Sequence, residues 1–243
     1  MPRPIDKNSP VPAYYQIQKV IIDKIEQGEW VPKTQIPSER ELTEMFDVSR
    51  MTLRHALQEL VVQGFLVKQK GLGTFVAEPR IAQKLTSLTS FSEDMLSRGK
   101  KPSSEILEFD FTTVDHEISV ALSVPLGESV VVVKRLRFAD NEPMAIERAY
   151  LYFPGCDQIV RQDFENSIYT VLKQKFDLFP TRAHQKMRAD HASKDECALL
   201  SIPNNTPILR LNRVTFDQNE RPFEYTRTVY RGDKYVFVAE LES

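Results

Sequence analysis

Ile36-Pro37-Ser38-Glu39-Arg40-Glu41-Leu42, followed by Val48-Ser49-Arg50-Met51-Thr52-Leu53-Arg54-His55-Ala56-Leu57, decides the fold of the first part of the chain. Ser38 with Glu41 three residues later is a capping box, so a helix starts there. Leu42, Met45 and Phe46 supply its apolar stripe, and Asp47-Val48 is a short turn. Ser49 caps the next helix, 50–63, whose inner face is Leu53, Ala56, Leu57, Leu60 and Val61 and whose end is Gly64. Two short helices joined by a tight turn form a helix-turn-helix. Upstream, Ile17, Val20, Ile21 and Ile25 recur at helical spacing over 14–27, with Gly28 as the stop and Trp30-Val31-Pro32 as an extended connector. Downstream, 65–70 and 74–76 alternate apolar and polar residues across Gly71-Leu72-Gly73, which reads as a hairpin. A helix, a helix-turn-helix and a two-stranded wing make a winged helix.

This order has a chemistry. In a helix-turn-helix the start of the second helix enters the major groove. Ser49, Arg50, Thr52 and Arg54 stand there, and Ser38, Glu39 and Arg40 open the preceding helix. Arginine suits the position because its planar fork fits guanine O6/N7 or a phosphate with two hydrogen bonds. Gly71 and Gly73 allow the wing backbone to approach closely. These nine residues are the expected DNA contacts. Residues 48–80 carry Arg50, Arg54, Lys68, Lys70 and Arg80 against Glu59 and Glu78, a local excess that the whole-chain net charge of −2 hides. The alternative is that Arg40 and Arg54 merely solvate exposed helix faces.

The 243 residues allow one large domain or two modest ones. The expected division is a DNA-binding domain over 8–77, a linker over 78–88 with Pro79 stopping the wing strand, and a second domain over 89–243. No apolar run approaches the roughly 18 residues that span a bilayer, so no membrane partner is expected. The first residues lack an apolar core of the secretory kind. Cys156 and Cys197 cannot make a disulfide framework or a zinc site on their own. A reducing cytoplasm is the expected compartment, with no metal and no cofactor. Eight glycines leave little for a dinucleotide-binding loop.

Beyond 88 a helix is expected from Ser90 or Ser92 to Arg98, and strand-like segments dominate afterwards: 104–113, 129–139, 143–153, 181–190, 207–216, 222–231 and 234–241. Helices are expected at 115–122, at 167–176 following Asn166, and at 193–200. The fold class is α+β, with one antiparallel sheet in the second domain. One strand holds an anomaly. Val131, Val133, Arg135 and Arg137 share a face, so two guanidiniums continue a row of valines. If that row is buried they need an anion. On the next strand Glu147 interrupts Ala145, Ala149 and Leu151. Glu147 pairs with one of these arginines across the hairpin, or the face is wet, or the three residues line a pocket with an anionic end and a hydroxyl-binding carboxylate. Ser167 and Tyr169 at a helix start offer hydroxyls to a phosphate.

The helix-turn-helix stretches above, with Lys70-Gly71-Leu72-Gly73-Thr74-Phe75-Val76, resemble the DNA-binding domain of the GntR family of bacterial repressors over residues 10–78. The resemblance implies a homodimeric transcription regulator on a pseudo-palindromic double-stranded operator. The runs 88–95, Lys134-Arg135-Leu136-Arg137, Pro143-Met144-Ala145-Ile146-Glu147, 166–169 and Tyr230-Arg231-Gly232-Asp233 resemble the UTRA effector domain of the HutC subfamily, a chorismate-lyase-like fold. The pattern is similar to that of its N-acetylglucosamine-utilisation repressors. That similarity implies Ser92, Arg135, Arg137, Ser167 and Tyr169 on the phosphate of a sugar phosphate, Glu147, Glu224 and Tyr230 on the sugar, and Phe91 beside them. The implied effector is a small anion, an amino-sugar phosphate such as N-acetylglucosamine 6-phosphate. Another sugar phosphate or an imidazole metabolite stays open. An enzyme is not expected: His55, His116, His184 and His191 have no metal spacing, and Ser167 has no evident base.

Overall fold

The capping box at Ser38 is built as expected: Glu41 N donates to Ser38 Oγ at 3.3 Å and Ser38 N donates to the Glu41 carboxylate at 2.8 Å. The computed structural model in which it is seen describes residues 5–6, 9–69, 71–78, 80–85, 88–165 and 167–240. Expectations placed on residue 8, Lys70, Pro79, residues 86 and 87, and Asn166 lie outside the described residues. The chain forms two units, Met1–Arg80 and Ile81–Ser243.

The first unit has α1 (Ala13–Glu26), α2 (Glu39–Phe46), α3 (Arg50–Val62), β1 (Leu66–Gln69) and β2 (Gly73–Val76). Asp47 turns the chain between α2 and α3 in a left-handed conformation, and the Ser49 hydroxyl accepts from Thr52 N. Ile17, Ile21, Leu42, Leu53, Ala56 and Leu60 are fully buried against one another. Each large apolar side chain so buried contributes about 1.5–3 kcal/mol. Cutting Leu60 back to alanine would therefore cost about 2–5 kcal/mol. β1 and β2 pair antiparallel, and Gln35 bridges to Phe75 on the outer side. Gly73 is needed at the wing tip: its φ is +123°, and a Cβ there would lie 2.4 Å from Gln35 Nε2. This is the winged helix-turn-helix.

The second unit runs β3 (Ile81–Lys84), α4 (Phe91–Ser97), β4 (Pro102–Thr113), α5 (His116–Leu122), β5 (Ser129–Ala139), β6 (Glu142–Leu151), short 3-10 turns at Cys156–Gln158 and Arg161–Phe164, α6 (Ile168–Phe176), β7 (Arg182–His191), α7 (Lys194–Leu200), β8 (Pro207–Phe216), β9 (Pro222–Arg231) and β10 (Tyr235–Val238). Six strands form one antiparallel sheet in the order β4-β5-β6-β9-β8-β7. The β5–β6 turn places Asp140 and Asn141 both at positive φ, the geometry that matches the twist of a tight hairpin.

Alternation sends each strand's side chains to two faces, and helices pack on both, leaving β7 at the edge largely exposed. On one face Val131, Val133, Ala149 and Leu151 pack under Ile168 and Leu172 of α6, while Ala145, Leu211 and Tyr230 pack with Met95 of α4 and with Ile81 and Tyr235. On the other, α5 covers Val130, Val132, Tyr150 and Tyr225, and α7 covers Leu136, Ile146 and Val229.

Two features differ from the sequence expectation. Residues 81–84, inside the stretch read as a linker, form β3. The last strand, β10, is not on the large sheet but pairs in parallel with β3, Tyr235 opposite Ile81. The reason is topological. β9 lies between β6 and β8, so a strand following it finds no free edge beside it and leaves the sheet plane.

Candidate functional site

In the first unit Arg40, Arg50 and Arg54 are all exposed. Arg40 pairs with Glu44 at 3.1 Å and Arg54 with Glu39 at 2.8 Å, while Arg50 meets no partner among the described residues. Ser49 and Thr52 hydroxyls lie 2.8 Å apart at the start of α3. Ser38 Oγ is held by Glu41 at 2.7 Å. Glu39 also lies 3.9 Å from Lys68 on β1, so it ties α2, α3 and the wing. Gly71 is exposed and Gly73 half-buried at the hairpin tip. Arg54 and Lys68 thus flank Glu39 on one accessible surface, and Arg40 pairs separately with Glu44. Their ion pairs are of the exposed kind, worth about 0–1 kcal/mol.

The second unit holds a cavity of about 40 Å³ over the large sheet. β5 supplies Arg135 and Arg137, β6 Glu147, β9 Glu224 and Tyr230, α4 Phe91, and the start of α6 Ser167 and Tyr169. Its room is that of a water or two. A hexose phosphate therefore enters only if side chains yield.

Arg135 and Arg137 are each 3% exposed. Their surroundings differ. Arg135 donates Nε at 3.0 Å and Nη2 to Glu147, and lies over the Phe164 ring. The cross-hairpin pairing is thus the state of Glu147, set by its register opposite Arg135. Arg137 has no carboxylate. It donates one bond, from Nη2 to Ser92 Oγ at 3.1 Å, and lies 4.6 Å over the Phe91 ring. Its Nε and Nη1 are buried without a partner among the described residues. Burial, with the charge of Arg135 beside it, pulls the Arg137 guanidinium down to about 10. Unsatisfied donors in a buried guanidinium are costly, and an anion would satisfy them.

The carboxylates diverge as well. Burial works against charge on Glu147, but Arg135 and Arg137 outweigh it and hold the group below its ordinary value. Burial raises Glu224, which accepts from Tyr169 Oη at 2.7 Å and Thr215 Oγ1 at 3.0 Å. Tyr169 is raised by burial and by Glu224, and burial raises Tyr230 to about 12. The cavity therefore has an ionised, arginine-rich side and a side of neutral hydroxyls around Glu224. Ser167 leaves its helix uncapped, and its hydroxyl reaches Ser90 Oγ at 3.3 Å.

Of the nine residues expected here, all but Ser92 line the cavity; Ser92 stands behind Arg137. Tyr169 is hydrogen-bonded to Glu224 rather than to the arginine pair. Sequence reasoning missed Arg213, Thr226, Thr228 and Gln83, which also line it. Arg213 interrupts Leu209 and Leu211 on its strand face, the same signal that marked Arg135, and was legible. Thr226 and Thr228 share a face with Glu224 and Tyr230. Gln83 lies in the stretch read as a linker. Among the described residues no three His, Cys, Asp or Glu side chains gather as a metal site, and no helix is long and apolar enough to cross a membrane.

Comparison with known proteins places this architecture. The pattern described as "UTRA domain" matches residues 97–236, and that described as "Bacterial regulatory proteins, gntR family" matches residues 13–76. The "HTH-type transcriptional repressor NagR" of Bacillus subtilis (strain 168) is 39% identical over 98% of each chain. A "Histidine utilization repressor" of Pseudomonas putida is 30% identical over 93% of this chain and 90% of its own. The crystal structure of PhnF from Mycobacterium smegmatis superposes with a TM-score of 0.65 at 28% identity, covering 95% of this chain and 99% of that one. The two units carry the two matches of one family: the chain belongs to the gntR family of bacterial regulatory proteins and carries a UTRA domain.

Proposed function

We propose that this chain is a transcriptional repressor whose hold on its operator is controlled by a small phosphorylated metabolite, an amino-sugar phosphate such as N-acetylglucosamine 6-phosphate. The observation that carries the ligand class is Arg137, a buried guanidinium with two donors unsatisfied beside a second arginine. The sequence resemblance to N-acetylglucosamine-utilisation repressors supports the amino sugar, and relatives named for other nutrients, histidine and mannosyl-D-glycerate among them, leave the sugar to be tested.

In this reading residues 8–77 bind DNA, 78–88 connect while carrying β3 of the second unit, and 89–243 bind the effector and dimerise. Arg50, Arg54 and Arg40 contact bases or phosphates, with Ser38, Glu39, Ser49, Thr52, Gly71 and Gly73 beside them. A homodimer sets two α3 helices into half-sites of a pseudo-palindrome. In the cavity the phosphate sits on Arg137, which Ser92 backs, and on Ser167, and competes with Glu147 for Arg135. Glu147, once released, accepts from sugar hydroxyls together with Glu224 and Tyr230, while Phe91 and Tyr169 wall the ring. Effector and operator are linked, so each weakens the other by the same factor.

The test is operator release, read by fluorescence anisotropy, against amino-sugar phosphates, other hexose phosphates, imidazole metabolites and acyl chains. Release by a sugar phosphate and not by its unphosphorylated sugar supports the reading. Release by imidazoles or acyl chains alone refutes the phosphate. Turnover of any sugar phosphate would refute a purely regulatory role.

A further inference from the structure

β3 follows directly on the first unit, which ends at Arg80. Its burial alternates: Ile81 and Gln83 are inside, Ala82 and Lys84 outside. Ile81 fills an apolar cluster with Met95 and Tyr235, as an inward strand residue should. Gln83 breaks the pattern. It is 8% exposed, it lines the cavity, and no hydrogen-bond partner reaches its carboxamide among the described residues. Its amide is not enclosed as Arg137 Nε and Nη1 are; it keeps access to the cavity, where a group from outside the chain can meet both its donor and its acceptor.

The strand that carries Gln83 is short. β3 and β10 pair over only four residues each, apart from the large sheet. Its ends are tied by Ile81 N to Lys234 O at 2.7 Å and Leu85 N to Val238 O at 3.0 Å, and Arg98 Nη2 holds Ala82 O at 2.8 Å. A ligand that bridges Gln83 to the sheet would add a fastening at the middle of this strand.

We infer that Gln83 is an effector-binding residue, and that through it the bound ligand fastens β3, the segment by which the chain leaves its DNA-binding unit. The inference rests on the proposed function for the ligand's chemistry but not for the residue. A carboxamide both donates and accepts, so the group it meets is a neutral hydroxyl or amide of the ligand, away from the anion at Arg137. Ligand occupancy is then reported to the connecting strand without an intermediary.

The test measures backbone amide exchange over residues 81–85 in the full-length chain, without ligand and with N-acetylglucosamine 6-phosphate, glucose 6-phosphate, an imidazole metabolite or an acyl chain. Wild type is compared with Gln83→Leu, which fills the position and keeps the strand's inward apolar pattern, and with Gln83→Asn, which keeps the amide. Affinities are taken by calorimetry on the same samples. Expected is a tenfold or greater slowing of exchange by the sugar phosphate in wild type, lost in Gln83→Leu, together with a five- to tenfold weaker affinity; Gln83→Asn falls between. If the sugar phosphate binds in an Arg137-dependent way but exchange over 81–85 does not slow and Gln83→Leu binds as wild type, the inference fails while the proposed function stands. If only an unphosphorylated member of the panel binds, and slows these amides through Gln83, the inference stands and the phosphate reading falls. If nothing binds, both fall.

Discussion

Arginines do opposite things in the two units. On the winged helix Arg54 is 61% exposed and its partner Glu39 can be exchanged for a phosphate at little cost. In the second unit Arg137 is 3% exposed, stripped of water, and given one hydroxyl in return. An exposed cation acts through a field that salt screens, and it is fit for a long polyanion met at many points. A buried one acts through desolvation and shape, and it is fit for one small anion that fills the site. In the proposed reading the same residue type serves two kinds of partner, and burial decides which.

Salt is the broadest way to break this contrast. Raising it from about 50 to 200 mM should lower operator affinity by about a thousandfold if six or more phosphates are contacted, and effector affinity by less than about threefold. Parallel losses for both ligands would mean that the cavity is as wet as the winged surface. Next in size, Arg50→Ala should weaken operator binding tenfold or more, the equivalent of about 1–3 kcal/mol, and leave calorimetric effector affinity in place. An unchanged operator affinity would remove α3 from the interface.

The buried side has a stability signature. Arg137→Met replaces an ill-satisfied charge by an apolar chain of similar length. It should stabilise the ligand-free chain on the order of 2 kcal/mol, a rise in Tm of roughly 4–8 °C. A lowered Tm in thermal melts would show that Arg137 is well satisfied without ligand. Smallest is the titration of Glu224. Burial raises its carboxyl, so the native chain holds that proton more tightly than the unfolded chain. The resulting stability is full below the unfolded value of roughly 4.3 and is lost as pH rises through the folded one. Glu224→Gln does not titrate, so its Tm should gain on wild type by a few degrees between pH 5 and 8. Equal differences at both pH values would contradict this.

The winged helix was legible almost to the residue, because each of its decisions is local: a capping box at Ser38, a second cap at Ser49, a short turn at Asp47-Val48, a glycine tip. The arginine pair was legible for a related reason, since strand alternation makes a polar residue in a valine row conspicuous. The choice for Glu147 between pairing and pocket needed the register that sets it opposite Arg135. The β3–β10 pairing was not legible. It joins segments about 150 residues apart in sequence, and nothing in Ile81-Ala82-Gln83-Lys84 distinguishes a strand from a connector. Gln83 was missed for that reason alone.

The most direct test of the central claim, that the Arg137 guanidinium seats the anion of the effector, is a calorimetric titration of wild type and Arg137→Met with N-acetylglucosamine 6-phosphate and with N-acetylglucosamine. Binding of the phosphorylated sugar to wild type, at least a hundredfold tighter than the plain sugar and lost in the stably folded variant, is the predicted result. Equal binding of the phosphorylated sugar by both proteins would contradict it.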